Sequence, residues 1–364
     1  LITITFYVLT SFEQNRLRSI EAGVKYLILG AAASAVMVFG IALIYGSTGT
    51  LEFSEVSQQF LKPDGYQLLL LFELGMLLVL GGLAFKIAAV PFQLWVPDVY
   101  QGAPTPITAF LATGSKAAGF VLLLRVLHEA CPIMLDETWL RQLLAVMAGA
   151  TILYGSLCAL RQRNLKRLLG YSGIASAGYV LLGVVALNRE GAQAVLFYLA
   201  GYLFAVLAAF TVIAMVTEEA DDEDISVLAN LHQRSPLFAI TLTLAILSLA
   251  GVPPLAGFFG KFLLLKAAFG AASSDPVMPW VIGIAIVGVV ISLFYYFGII
   301  REIYWGTGQS WAERKPKADP IECPDTADIV VLVCVFGMLA LGLFPEPVLN
   351  LVEDASTALF SSAQ

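Results

Sequence analysis

The chain has 364 residues, of which 59% are hydrophobic and 13% charged, with a net charge of −7 and a mean hydropathy of +0.84. Soluble domains carry about 45–50% apolar and 25% charged residues, so a soluble enzyme and a disordered tail are both excluded. The acidic balance disfavours a nucleic-acid partner, which calls for a basic stripe.

Apolar runs of the ~20 residues that a membrane-spanning helix needs recur along the chain. They predict an all-α, polytopic membrane helical bundle, and the ~10-residue alternating segments of barrel strands are excluded. Residues 1–13 open at Leu1 with LITITFYVLTSF, too short to span and without the basic flank of a signal peptide. They read as the remnant of an N-terminally truncated transmembrane helix. Nine spans follow, near Val24–Tyr45, Gln67–Phe92, Ile107–Leu127, Leu140–Leu160, Leu169–Leu187, Ala192–Val216, Pro236–Phe269, Pro279–Tyr304 and Ile329–Leu349. The second and seventh are long and interrupted by proline: Pro91 and Pro97 in one, Pro253 and Pro254 in the other. Proline removes a backbone donor, and a broken helix at membrane depth is tolerated only where protein or a wet cavity satisfies the freed groups.

The loops alternate sides. One side holds 12 basic residues: Arg16, Arg18, Lys25, Arg161, Arg163, Lys166, Arg167, Arg234, Arg301, Arg314, Lys315 and Lys317. The other holds 4: Lys62, Arg125, Arg141 and Arg189. The positive-inside rule puts the first side in the cytoplasm and the C-terminus outside. The acidic run Glu218, Glu219, Asp221, Asp222, Glu223 and Asp224 falls in a cytoplasmic loop and reads as a solvated face.

The remaining basic residues lie inside spans: Lys86, Lys116, Lys261 and Lys266. A lysine near a helix centre costs at least about 2.5–3.5 kcal/mol on insertion scales, and such residues usually face the bundle interior and mark ion or proton pathways. Lys86 precedes Pro91, Lys261 follows the Pro253–Pro254 break, and Lys116 is flanked by Gly114, Ser115, Ala117, Ala118 and Gly119, small residues that let helices approach. All three are expected in the interior. Lys266 lies nearer a helix end and is expected to snorkel; Glu73, about two turns into its span, is left open between the two readings. Taking an ammonium out of water disfavours its charged form, so buried lysines joined by water and moved by neighbouring charges form a proton relay. Cys131, Cys158, Cys323 and Cys334 are scattered, and the histidines are only His128 and His232, so no haem, iron–sulfur or zinc ligand set is assembled.

Four segments carry a resemblance: AFKIAAVPFQLWVPDVYQGAPTPITAFLATGSKAAGF, EAGVKYLILGAAASAVMVFGIALIYG, RQRNLKRLLGYSGIASAGY and SLAGVPPLAGFFGKF. Together they resemble the antiporter-like membrane subunits of respiratory complex I, the proton-translocating NADH–quinone oxidoreductase, over nearly the whole chain. The EAGVKY segment, the lysine at 261 and the lack of a long lateral helix resemble the N branch of that family. The resemblance implies fourteen helices with two inverted five-helix repeats, each holding one broken helix, in line with the general pattern of secondary transporters. On that basis residues 1–13 are the helix remnant and residues 14–130 the remainder of the first repeat half, with Lys86 and Lys116. Residues 131–305 are the second half, with Lys261, and residues 306–364 are a cytoplasmic loop, a last transmembrane helix and a tail.

The resemblance further implies that Lys86 loads a proton, Lys116 connects and Lys261 lies at the exit, with Lys25 and Gln93 in support. It implies that this chain binds no cofactor, and that NADH, FMN, iron–sulfur clusters and quinone belong to partner subunits, including neighbouring antiporter-like subunits, in a bacterial inner membrane. Two departures stand out: the family's paired glutamate should directly precede the start at Leu1, and Gln93 stands where relatives often have histidine. The alternatives are a subunit of a multisubunit cation/proton antiporter or membrane-bound hydrogenase, and a membrane scaffold whose lysines are structural.

Overall fold

The computed structural model describes residues 2–59, 68–130, 138–220, 223–272, 275–306, 321 and 324–361. Leu1, Lys62, Cys131, Asp221, Asp222, Arg314, Lys315, Lys317 and Cys323 lie outside the described residues. The described chain is helical, in the order α1 (Ile2–Thr10), α2 (Leu17–Thr48), α3 (Phe53–Gln59), α4 (Leu69–Ile87) and α5 (Trp95–Gly102). Then come α6 (Thr105–Ala130), which contains two π turns at Leu111–Ser115 and Val126–Ala130, α7 (Thr138–Ala159), α8 (Leu165–Val185) and α9 (Arg189–Ala220). After a short 3-10 turn at Ile225–Leu228 follow α10 (Leu231–Arg234), α11 (Pro236–Ala250), α12 (Ala256–Ala271), α13 (Met278–Trp305), α14 (Asp325–Leu343) and α15 (Glu346–Ser361).

Eight of these helices, α2, α4, α6, α7, α8, α9, α13 and α14, are long and apolar enough to cross a membrane. Their outer faces are apolar too: Ile28, Val38 and Phe39 on α2, Trp280 and Phe294 on α13 and Phe336 on α14 are all exposed. An exposed apolar band of this kind suits a lipid surround rather than water. The chain is a multi-pass integral membrane protein.

At the centre stands α8. Asn164 caps it, its side chain accepting from Arg167 N, which satisfies one of the donors a helix start leaves free. Every residue from Leu168 to Val185 is buried, and α5, α7, α9 and α12 pack around it. Small residues permit that enclosure: a Cβ on Gly155 of α7 would fall 2.4 Å from Ala175 N, and one on Gly178 of α8 would fall 2.7 Å from the Ile152 side chain. Helices in lipid associate largely through such close packing.

The second and seventh predicted spans are corrected in detail. The seventh, Pro236–Phe269, is two helices of 15 and 16 residues, α11 and α12. At 1.5 Å per residue each reaches only about 23–24 Å, short of a ~30 Å hydrocarbon core. In the second, α4 ends at Ile87 before Pro91, whereas Pro97 lies in the first turn of α5. Proline costs little there because the donors of a first turn have no partner in the helix, so Pro97 interrupts nothing.

Both breaks open with the same device. α4 stops at Ala88 (φ 63°) and α11 at Gly251 (φ 86°), both left-handed. Ala89 N then bonds Ala84 O, and Val252 N bonds Leu247 O, the six-to-one closure of a Schellman motif. The third residue after each left-handed one, Pro91 or Pro254, follows a cis peptide bond. At the first break the freed groups find partners across the bundle: Val90 N donates to Thr151 Oγ1 at 2.9 Å, and Trp95 Nε1 to Phe85 O at 3.0 Å.

Candidate functional site

Lys86, Lys116 and Lys261 each meet the backbone or a ring rather than a carboxylate among the described residues. Lys86, in the last turn of α4, is half-buried. Its amine stands 6.0 Å from the centre of the Phe6 ring and lines a cavity of ≈ 430 Å³ together with Tyr26, Ser34 and Ser115. Gly119 of α6 packs against it, where a Cβ would lie 3.2 Å from Lys86 Cγ. Lys116 directly follows the first π turn of α6, a rare irregularity frequent at functional sites. It is 3% exposed; its Nζ donates to Gly173 O at 2.8 Å and lies 5.8 Å from the centre of the Tyr100 ring. Lys261, 6% exposed, reaches back from α12 across the second break and donates to Leu249 O at 2.7 Å and Ala250 O at 3.2 Å. Those carbonyls end α11, where the helix dipole is negative. Its amine is 5.0 Å from the centre of the Tyr179 ring.

Gly173 and Tyr179 both belong to α8, six residues and so about 9 Å apart along its axis. One buried helix therefore receives Lys116 at one point and Lys261 at another. Between these points the interior is hydroxylated. Ser172 Oγ and Tyr296 OH share a hydrogen bond of 2.5 Å, and the Tyr295 and Tyr296 ring centres lie 4.4 Å apart. Tyr202 stacks on Tyr198 at 5.9 Å, and its hydroxyl would stand 3.2 Å from a Cβ on Gly173, beside Lys116. Each hydroxyl can donate and accept, so the Ser172–Tyr296 pair can hand a proton between α8 and α13. The sequence reading missed these tyrosines and serines; the spacing of Ser172, Ser176 and Tyr179 on one face of α8 is the signal that was available.

Of the other predicted site residues, Lys25 lies on α2 with its side chain 42% exposed, 2.6 Å from Glu21 Oε1 and 2.7 Å from Asp98 Oδ2. Gln93, in the first break, is buried against Tyr154, with its Oε1 making no hydrogen bond among the described residues. Lys266 is exposed and Glu73 half-buried.

Two charges counted as loop charges are not at the surface: Lys166 and Arg234 are 3% and 5% exposed. The acidic run is also less solvated than its sequence suggests, because Glu223 pairs with Lys166 at 2.7 Å and Asp224 with Arg163 at 3.0 Å. Partial burial works to raise the Asp224 pKa, but the hydrogen bonds from Arg163 and Ser226 outweigh it and hold the carboxyl below its usual range. Among the described residues no three His, Cys, Asp or Glu side chains cluster as metal ligands would.

This arrangement of helix breaks and interior lysines has relatives. A family model for the transmembrane region of NADH:quinone oxidoreductase/Mrp antiporter proteins matches residues 1–292. The chain belongs to that family. Within it, NADH-quinone oxidoreductase subunit N of Desulforamulus reducens is 37% identical over 98% of this chain and 71% of its own length. Among solved structures, a chain of respiratory complex I from Thermus thermophilus superposes with a TM-score of 0.78 at 36% identity, over 96% of this chain and 72% of that one. A chain of an archaeal membrane-bound sulfane sulfur reductase superposes with a TM-score of 0.84 at 28% identity, over 98% and 69%. As a member of the family, the chain shares the helical architecture of its antiporter-like subunits.

Proposed function

We propose that this chain is the N subunit of a proton-translocating NADH–quinone oxidoreductase, carrying protons through buried lysines while redox chemistry proceeds in other subunits. The observation that carries this reading is the convergence of Lys116 and Lys261 on α8, the helix that also carries the Ser172–Tyr296 hydrogen bond. Lys86 is the loading site beside its cavity, Lys116 the connecting site, and Lys261 the site nearest release. Lys25 and Gln93 support the loading end. Residues 14–130 and 131–305 act as the two repeat halves, and the matching closures at Ala88 and Gly251 support that division.

NADH, FMN, iron–sulfur clusters and quinone belong to partner subunits, beside further antiporter-like membrane subunits. The basic-rich side faces the cytoplasm of a bacterial inner membrane, with the C-terminus outside.

A tagged chain purified gently from native membranes tests this reading. It should bring down a complex that oxidises NADH and reduces quinone. The alternative, an ion-translocating subunit of another complex, draws on the likeness to the sulfane sulfur reductase chain. Recovery of ion-antiport subunits without NADH-oxidising activity would favour that alternative and overturn the first.

A further inference from the structure

Lys166 and Arg167 are consecutive residues in the first turn of α8, and they grip α5 at two points. The Lys166 side chain is only 4% exposed. Its Nζ lies 2.7 Å from Glu223 Oε1 and donates to Ala103 O, at the C-terminal end of α5, at 3.1 Å. Glu223 is itself fixed to the same turn, accepting from Asn164 Nδ2 at 2.8 Å and, through its carbonyl, from Leu165 N at 2.9 Å. Arg167 Nη1 donates to Asp98 Oδ1 at 2.6 Å and to Gln101 Oε1 at 3.2 Å, both on α5.

The rest of α5 faces the reacting lysines. Trp95 Nε1 holds Phe85 O, one residue before Lys86, and the Tyr100 ring lies against the Lys116 amine. α5 has eight residues and so is about 12 Å long. Such a short element passes a shift at one end directly to the other.

A buried ammonium is costly unless it is paired and hydrogen-bonded. Lys166 meets that demand by joining a loop carboxylate to the end of α5, where an apolar side chain would pack without cost. We propose that Lys166 and Arg167 are positioning residues: they pin α5 against α8, and α5 sets the geometry between the Lys86 break and Lys116. Glu223 completes the clamp from the loop after α9. The functional part of the proposal rests on the proton-relay reading; the mechanical part does not.

The test uses the assembled complex in membranes, with two readouts. Hydrogen–deuterium exchange is followed over residues 95–103 and 223–228, and protons moved per electron are measured during NADH oxidation. Lys166→Met and Arg167→Met are expected to speed exchange across 95–103 and to lower protons per electron roughly three- to tenfold, with electron transfer retained. Arg167→Lys keeps a donor on Asp98 and is expected to restore both. If Lys166→Met does not assemble, the half-buried Arg167 variants carry the same test.

Exchange that changes only in 223–228 would overturn the clamp, reducing the pair to a loop staple. Faster exchange in 95–103 with unchanged protons per electron would overturn the positioning role. Failure of the relay reading itself has a different mark: normal pumping in Lys116→Met, with the exchange response of Lys166→Met intact.

Discussion

The amine of Lys116 donates a 2.8 Å hydrogen bond to the carbonyl oxygen of Gly173. That contact joins a lysine displayed by a π turn in α6 to the fully enclosed helix α8, and it exists because residue 173 has no side chain. A Cβ there would stand 2.9 Å from the Lys116 Nζ and 3.2 Å from the Tyr202 hydroxyl.

Gly173→Ala is therefore expected to displace the amine by a few tenths of an ångström while α8 still folds. Transfer steps are steep in geometry, so proton pumping should fall roughly tenfold. Proton uptake driven by NADH in sealed vesicles, set against assembly on a native gel, measures it. Pumping equal to wild type would mean that the amine does not work from this position.

Lys261→Met removes the donor from Leu249 O and Ala250 O at the end of α11. Leaving buried acceptors without a donor costs about 1–3 kcal/mol. A lower melting temperature of the detergent-purified complex is expected together with loss of pumping. Lys261→Arg, which keeps a cation near those carbonyls, should recover most of the stability.

Ser172 and Tyr296 share one hydrogen bond across 124 positions of sequence. Ser172→Ala and Tyr296→Phe should each slow pumping, and the double variant should be little worse than either single one. The double-mutant cycle is expected to give a coupling energy of at least about 0.5 kcal/mol. Strict additivity would place the two hydroxyls on separate routes.

Asp224 supplies a dependence on pH outside the membrane. Arg163 and Ser226 hold its carboxyl below the ordinary value of 3.8 despite partial burial. A depressed folded-state pKa gives stability that is present above the unfolded value and lost as pH falls through the folded one. The melting temperature of the purified complex should thus drop on acidification below the usual aspartate range. Asp224→Asn should start lower at neutral pH and show a smaller acid-induced drop.

The parts legible in the sequence are those governed by local pattern. Apolar runs located the helices, Pro91 and Pro253–Pro254 located the breaks, and the small residues around Lys116 placed it inside, where it is 3% exposed. What escaped was set by partners far away in sequence. Tyr296 looks like an ordinary aromatic residue of an apolar helix until α8 brings Ser172 to it. Lys166 looks like one of a run of loop cations, because nothing local announces that Glu223, 57 positions on, will bury it. Pro97 misled because its chemistry depends on position: it breaks a helix interior but suits a first turn.

The central proposal is that Lys116 and Lys261, both seated against α8, carry protons. The most direct measurement is protons translocated per electron in membranes carrying Lys116→Met, Lys261→Met or, as a control, Lys266→Met, whose lysine is exposed. The account predicts a marked loss for the first two with NADH oxidation continuing, and a wild-type ratio for the third. Wild-type ratios in all three would contradict it.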